Sequence, residues 1–152
     1  MGQQQLLLVI LVTIIVGIAT VVAINTFGSA ADSAAQDAVR QDLVTIAASA
    51  QGYYMRPEML GGGGRTFEGI SFNNISFAGS IPEDDQGASD PLVAVNENGS
   101  YTISGNGAYA ATFLVTAVAN DTDESELQIR VCADDSELSE LNQAAPADCE
   151  DD

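Results

Sequence analysis

The side chains with chemistry to offer are two cysteines, Cys132 and Cys149, and 22 aspartates and glutamates; against them stand four arginines, no lysine and no histidine. Without histidine or lysine, the usual general bases and Schiff-base nucleophiles are missing. The carboxylates fall in loops and in the tail, where an acid is ordinarily solvated. Glu83, Asp84, Asp85 and Asp90 are close enough in sequence for a loose Ca²⁺ site. The run from Asp121 does not fit a calcium loop: Glu126 stands where position 6 needs glycine, and Cys132 where position 12 needs glutamate. Gly61 to Gly64 precede Arg65-Thr66 rather than Lys-Ser/Thr, so they make no phosphate loop, and no Cys-x-x-Cys-His run is present for haem. Asn74-Ile75-Ser76, Asn98-Gly99-Ser100 and Asn120-Asp121-Thr122 match the N-glycosylation pattern. From these residues we expect no enzyme: no catalytic site, no cofactor and no dedicated metal centre. A formal net charge of −18 repels phosphate, so no nucleic-acid binding is expected either. Arginine in place of every lysine, with heavy aspartate usage, looks like adaptation to strong brine.

The two cysteines suit one staple in an oxidising compartment. A Cys132–Cys149 bond would pin the acidic tail from Ser136 to Asp152 onto the last strand. Closing a loop of that size stabilises by about 3 kcal/mol in the chain-entropy model. Two free thiols are the alternative, disfavoured by the polar surroundings of Cys149.

The elements that position these residues follow from period and punctuation. Pro57 ends a helical stretch, and the glycine run after it reads as a mobile connection. Phe67, Ile70, Phe72, Ile75 and Phe77 form an aromatic-rich stretch with strand character. The segment "LVAVNENGSYTIS" predicts a hairpin, with Asn98-Gly99 as a two-residue type I′ turn between Leu92–Glu97 and Ser100–Ser104. Turn residues at Gly105 to Gly107 lead into a long strand candidate, 108–119, and Glu126–Ala133 reads as a further strand. Four consecutive strands make an antiparallel meander with one face free for a helix. The fold class predicted is α+β: a long N-terminal helix, residues 1–54, packed on an antiparallel sheet domain, residues 55–152.

That helix has two parts, 1–28 and 29–54. The first ionisable side chain in the chain is Asp32, and Leu6 to Ile24 is almost continuously apolar. Nineteen residues make a helix of about 28 Å, close to the hydrocarbon thickness of a bilayer. From Ala31 to Tyr54, Ala35, Val39, Leu43, Ile46, Ala50 and Tyr53 are spaced as one helical stripe, with Asp32, Gln36, Asp37, Arg40 and Gln41 largely off it. Gly17 and Gly28 are the points where the rod would bend or unwind. Three readings of the apolar part stand side by side. A cleaved secretory signal has the small-residue run Gly28 to Ala31 in its favour. Against it, no basic residue precedes the apolar run, and that run is long for a signal. A plain single-span anchor has the right length but lacks basic flanking residues. The third reading joins the two parts into one rod of about 50 residues, roughly 75 Å.

A rod of this design at the N-terminus resembles the subunits of type IV pilins and related filaments. The resemblance covers about the first 54 residues by pattern, and the remainder by size and domain order. It implies a subunit held in the inner membrane as a single-pass protein, then extracted into the core of an extracellular homopolymeric filament. It also implies a prepilin peptidase and a pilus assembly machinery as partners. The assembly surface it implies runs through Gln3, Gln4, Gln5, Leu6, Leu7, Leu8, Ile10, Leu11, Ile14, Ile15, Gly17, Ile18, Val21, Val22 and Phe27. A charge there would have to be buried twice, in lipid and in the fibre. Processing is expected at Met1, Gly2 or Gln3, giving a mature chain that starts at Met1 or Gln3. Counted from Met1, the fifth residue is Gln5, followed by Leu6 as in the family. Counted from Gln3 the fifth is Leu7. Neither register has the glutamate of many pilins, and the proline common in the apolar half is also absent. A cysteine pair near the C-terminus matches the disulfide loop of many bacterial pilins. The rival readings are a membrane-tethered surface or periplasmic binding module, such as one for Ca²⁺, and a low-copy pseudopilin of a secretion machine.

Overall fold

The computed structural model describes residues 2–83, 87–107, 110–121, 124–139, 143 and 149. One helix, α1 (Gly2–Met55), is followed by a single 3-10 turn, Glu58–Leu60. Five strands follow: β1 (Val93–Val95), β2 (Gly99–Ser104), β3 (Phe113–Ala119), β4 (Glu126–Val131) and β5 (Ser136–Leu138). They form one antiparallel sheet in chain order, β1-β2-β3-β4-β5. The expected α+β architecture is therefore present. The chain divides into two compact units, Met1–Ala34 and Ala35–Asp152.

In the second unit, strict alternation along β3 and β4 turns Phe113, Val115, Ala117 and Ala119, and Leu127, Ile129 and Val131, into the core. Val39, Leu43, Ile46, Ala47, Ala50 and Tyr53 of α1 complete it. The stripe read from sequence thus buries as expected, except that Ala35 is only half-buried. Across the sheet, Ala94, Tyr101, Ala117 and Leu127 stand in one row of cross-strand partners. The flanking alanines leave room for the fully buried Tyr101 ring.

Several local expectations are corrected. Residues 67–77 form no strand; they run through turns. Their apolar spacing departs from strict alternation, and Asn74 breaks the path: its Oδ1 accepts from the Ser71 N–H and hydroxyl, each at 2.7 Å. The aromatics still reach the core, with Phe67 against Tyr54 and Phe113 (5.0 Å each) and Phe77 against Phe72 (5.4 Å) and Tyr101 (5.0 Å). The glycine run is a folded cap on α1 rather than a loose connection. The N–H groups of Gly63 and Arg65 donate to the helical carbonyls of Tyr53 and Tyr54, and that of Gly64 to the carbonyl of Arg56 just past the helix end. A side chain at Gly63 would collide with the Thr66 carbonyl and the Tyr53 ring.

The hairpin forms, but its turn is Glu97-Asn98, one residue earlier than expected, because Val95 pairs with Ser100 and the Asn96 N–H donates to the Gly99 carbonyl. Neither turn residue has positive φ, so the turn is not type I′. Asn96 Oδ1 instead accepts from the N–H groups of Asn98 (2.9 Å) and Gly99 (3.0 Å). Gly99 is needed inside β2, where a Cβ would strike the Val118 carbonyl of β3. The long candidate 108–119 is a strand only from Phe113, residues 108 and 109 lying outside the described set. β4 stops at Val131, and β5 adds a fifth strand from a segment read as tail. Helical structure runs through Gly17 and Gly28 without unwinding.

Candidate assembly surface

Leucine, isoleucine and valine dominate from Leu6 to Ile24, and these side chains stand exposed along α1. Leu6, Leu7, Leu8, Ile10, Leu11, Ile14, Ile15, Ile18, Val21, Val22 and Phe27 are all exposed, from 50% at Ile10 to 75% at Phe27. Exposure goes all the way round the helix, which is the pattern of a segment surrounded by lipid or by other helices. α1 is long and apolar enough to cross a membrane, a test that a signal sequence also passes. Nothing within 4 Å would meet a Cβ at Gly17, so the backbone there is open to close approach.

The threonines of this segment are satisfied locally. The hydroxyls of Thr13, Thr20 and Thr26 donate back to the carbonyls of Ile10 (2.8 Å), Val16 (2.8 Å) and Val22 (2.9 Å). Their hydrogen-bonding demand is met by the helix itself, so they present little polarity to an apolar neighbour. Gln3, Gln4 and Gln5 form an exposed, neutral first turn with no acidic residue. Gly2 and Gln3 are helical and exposed; Met1, the remaining processing residue, lies outside the described residues.

In the second unit the same helix is fastened by buried or half-buried polar groups. Asp42 Oδ2 accepts three hydrogen bonds, from Asn96 Nδ2 (2.8 Å), Asn98 Nδ2 (2.8 Å) and Tyr101 Oη (2.7 Å). Burial pushes the Asp42 carboxyl pKa up, but the donors Asn98, Tyr101 and Asn96 outweigh it and hold the pKa below its ordinary value. The Tyr101 phenol is pushed well above the usual range by burial, and then by its hydrogen bond to the Asp42 carboxylate and that group's charge. A few residues earlier, Gln36 Nε2 donates to Asp121 Oδ2 (3.0 Å) and Ser125 Oγ (3.1 Å) at the β3–β4 turn. Asp42 was not legible as an anchor from sequence. The available signal was its spacing, three residues after Val39 and four before Ile46, at the edge of the buried stripe.

The remaining candidates are scattered. Cys132 and Cys149 form a disulfide with a Cα–Cα distance of 6.1 Å. Glu83 bridges Ser89, and Asp90 Oδ1 accepts from the Leu92 N–H at 2.9 Å; Asp84 and Asp85 lie outside the described residues. Asp121, which also accepts from the Ser125 N–H at 2.8 Å, shapes a turn. Among the described residues no three acidic or cysteine side chains converge to hold a metal ion. The three sequon asparagines all use their amides internally. Asn74 Nδ2 donates to the Gly69 carbonyl (3.2 Å), Asn98 Nδ2 to Asp42, and Asn120 Nδ2 to the Glu97 carbonyl (3.2 Å). Thr122 of the third sequon lies outside the described residues.

Fold and surface together define a class: an α+β protein whose N-terminal helix carries a long, uncharged, uncovered apolar segment. Compared with known proteins, the chain matches no family model, no curated protein and no solved structure.

Proposed function

We propose that the chain is a structural subunit of an extracellular helical filament of the type IV pilin kind, held as a single-pass membrane protein before it assembles. The observation that carries this reading is the division of labour along α1. From Leu6 to Phe27 it is uncharged and exposed on every side, and from Val39 to Tyr53 it buries one stripe in a folded domain. We take the cover that such an exposed apolar helix needs to be first lipid and then its copies. The role is structural rather than catalytic, and its partners are further copies, the inner membrane, a prepilin peptidase and an assembly machinery.

Electron microscopy of material sheared from the cell surface, with mass spectrometry of the subunit, tests the reading. Filaments made of this chain, starting at Met1 or Gln3 with or without N-methylation, are the expected result. A mature chain starting at Ala31, or one that stays monomeric in micelles and gives no fibre, overturns it in favour of a secreted or tethered module. The reading also carries a dependence on salt. Twelve of the 22 acids lie between Asp121 and Asp152, so stacked subunits repel unless counterions screen them. The screening length falls from about 8 Å at physiological ionic strength to about 3 Å at 1 M. The fibre of a brine-adapted source should therefore melt higher as NaCl rises from roughly 0.1 to 3 M. A flat or falling melting temperature removes the halophile proposal.

A further inference from the structure

The chain holds two Asn-Gly pairs, Asn98-Gly99 and Asn106-Gly107, and the fold treats them in opposite ways. Asparagine before glycine is the pair most open to self-reaction, because no Cβ shields the following backbone nitrogen from the amide carbon. In that reaction the glycine nitrogen attacks asparagine Cγ. A new C–N bond closes a cyclic imide, the Cγ–Nδ2 bond breaks, and the amide nitrogen leaves as ammonia with the glycine N–H proton. Water then opens the imide at either carbonyl, leaving aspartate or isoaspartate.

Both reacting groups are withheld at the first pair. The Gly99 N–H donates to Asn96 Oδ1 (3.0 Å), and Gly99 lies so close to β3 that a Cβ would strike the Val118 carbonyl. The Asn98 amide is held on Asp42 Oδ2 (2.8 Å), while the Asn98 N–H donates to Asn96 Oδ1 and its carbonyl accepts from the Asn120 N–H, 2.9 Å each. For the Gly99 nitrogen to reach Cγ, the β1–β2 turn must come away from α1 and from β3. The second pair is held more lightly. The Asn106 amide donates to the Ile70 carbonyl (2.9 Å), but Gly107 is exposed and outside the strands, with open space where a Cβ would stand. No hydrogen bond holds its N–H among the described residues.

We propose that Asn98 is a self-modification site gated by the fold. It is locked while the β1–β2 hairpin sits on α1, converts to aspartate or isoaspartate when the hairpin opens, and then bars the hairpin from closing again. The bar is electrostatic: the new carboxylate takes the place of an amide donor 2.8 Å from the Asp42 carboxylate, and two ionised carboxylates do not share such a place at neutral pH. Isoaspartate also lengthens the main chain just before Gly99, which pairs with Ala119 of β3. Water is the only co-reactant, and the site does not depend on filament assembly.

Ageing the full-length chain at mildly alkaline pH, in detergent micelles and in concentrated urea, tests the lock, with conversion at each asparagine read by peptide mapping and fragmentation mass spectrometry. In urea both pairs should convert at similar rates. In micelles Asn106 should convert ahead of Asn98, and Asn98 should lag its own urea rate by about tenfold or more, because opening gives up its hydrogen bond to a charged acceptor. Asn98 converting in micelles at its urea rate, or ahead of Asn106, overturns the lock. The bar is tested by variants that carry the product. Asn98→Asp should lower the thermal midpoint at neutral pH more than Asn98→Ala, which loses the donor without adding charge, and Asn106→Asp should leave it unchanged. Equal losses from Asn98→Asp and Asn98→Ala, or a wild-type midpoint in Asn98→Asp, overturn the bar.

Discussion

Residues 6–27 and 39–53 belong to one helix and are both rich in aliphatic side chains, yet they hide them by different means. The packed stretch confines its apolar residues to a stripe with Asp42 at its edge, and Asp42, like Gln36 just before the stretch, reaches polar partners on the sheet and its turns. The earlier stretch is apolar on every side up to Ile24, and its threonine hydroxyls are folded back onto carbonyls one turn earlier in the helix. The lesson is about what specifies a partner. A stripe with polar edges fixes one partner in one register, because misplacing it strands a carboxylate or an amide. A helix with so little outward polar demand, here the exposed Asn25 amide near its end, accepts an apolar surround, lipid or protein, and relies on shape for its fit.

The contrast can be broken most drastically in the first half. On the proposed filament reading, Ile15→Asp or Gly17→Asp should abolish filaments, because an unpaired buried carboxylate costs several kcal/mol and would recur in every subunit. The domain fold should survive, read as an intact Cys132–Cys149 pair by non-reducing peptide mapping. Wild-type-like fibres from either variant would refute a buried apolar core. In the packed half the same kind of truncation should act on folding. Leu43→Ala removes a fully buried side chain and should cost about 2–5 kcal/mol in denaturant titration. Leu8→Ala, 62% exposed, should leave domain stability in micelles unchanged. Reducing the disulfide should cost about 3 kcal/mol by loss of loop closure in the unfolded chain, read as a lower thermal midpoint.

Asp42 gives the smallest and most diagnostic effect. Asp42→Asn should cost about 1–3 kcal/mol, since three donors lose their charged acceptor. The folded pKa of Asp42 lies below its unfolded value, so its contribution is present above the unfolded value and is lost as pH falls through the folded one. The wild type should therefore lose stability relative to Asp42→Asn below about pH 4. Parallel acid unfolding curves for the two proteins would show that Asp42 carries no such linkage.

What was legible in the sequence was what is local. A 3.6-residue period is set by neighbours along the chain, and it placed Val39, Leu43, Ile46, Ala50 and Tyr53 correctly on the buried face. The apolar half announced itself by composition, and the hairpin by its polar turn. The errors came where a distant backbone decides. Gly99 looked like a turn residue but is required by the approach of β3, and Gly63 looked like slack but closes onto Tyr53 and Thr66. Phe67 to Phe77 looked like a strand because aromatic side chains must be buried, and burial does not require strand pairing. β5 was hidden because Ser136–Leu138 buries little and is recruited by its register against Ile129–Val131. Asp42 was invisible as an anchor because its donors arrive from residues 54, 56 and 59 positions downstream.

The order of the strands has a consequence in time. Each strand pairs only with its neighbours in the chain, so the sheet can grow by successive short loop closures, the fastest kind of non-helical pairing. The helix face from Val39 to Tyr53 must wait for partners as distant as Val131. During synthesis that face would stay open until the strands beyond Gly99 had emerged, and the Asp42 contacts would close late. Pulse-labelled hydrogen exchange during refolding should then protect amides of β2 to β4 before the Asp42 contacts form, and simultaneous protection would mean that sheet and helix condense together.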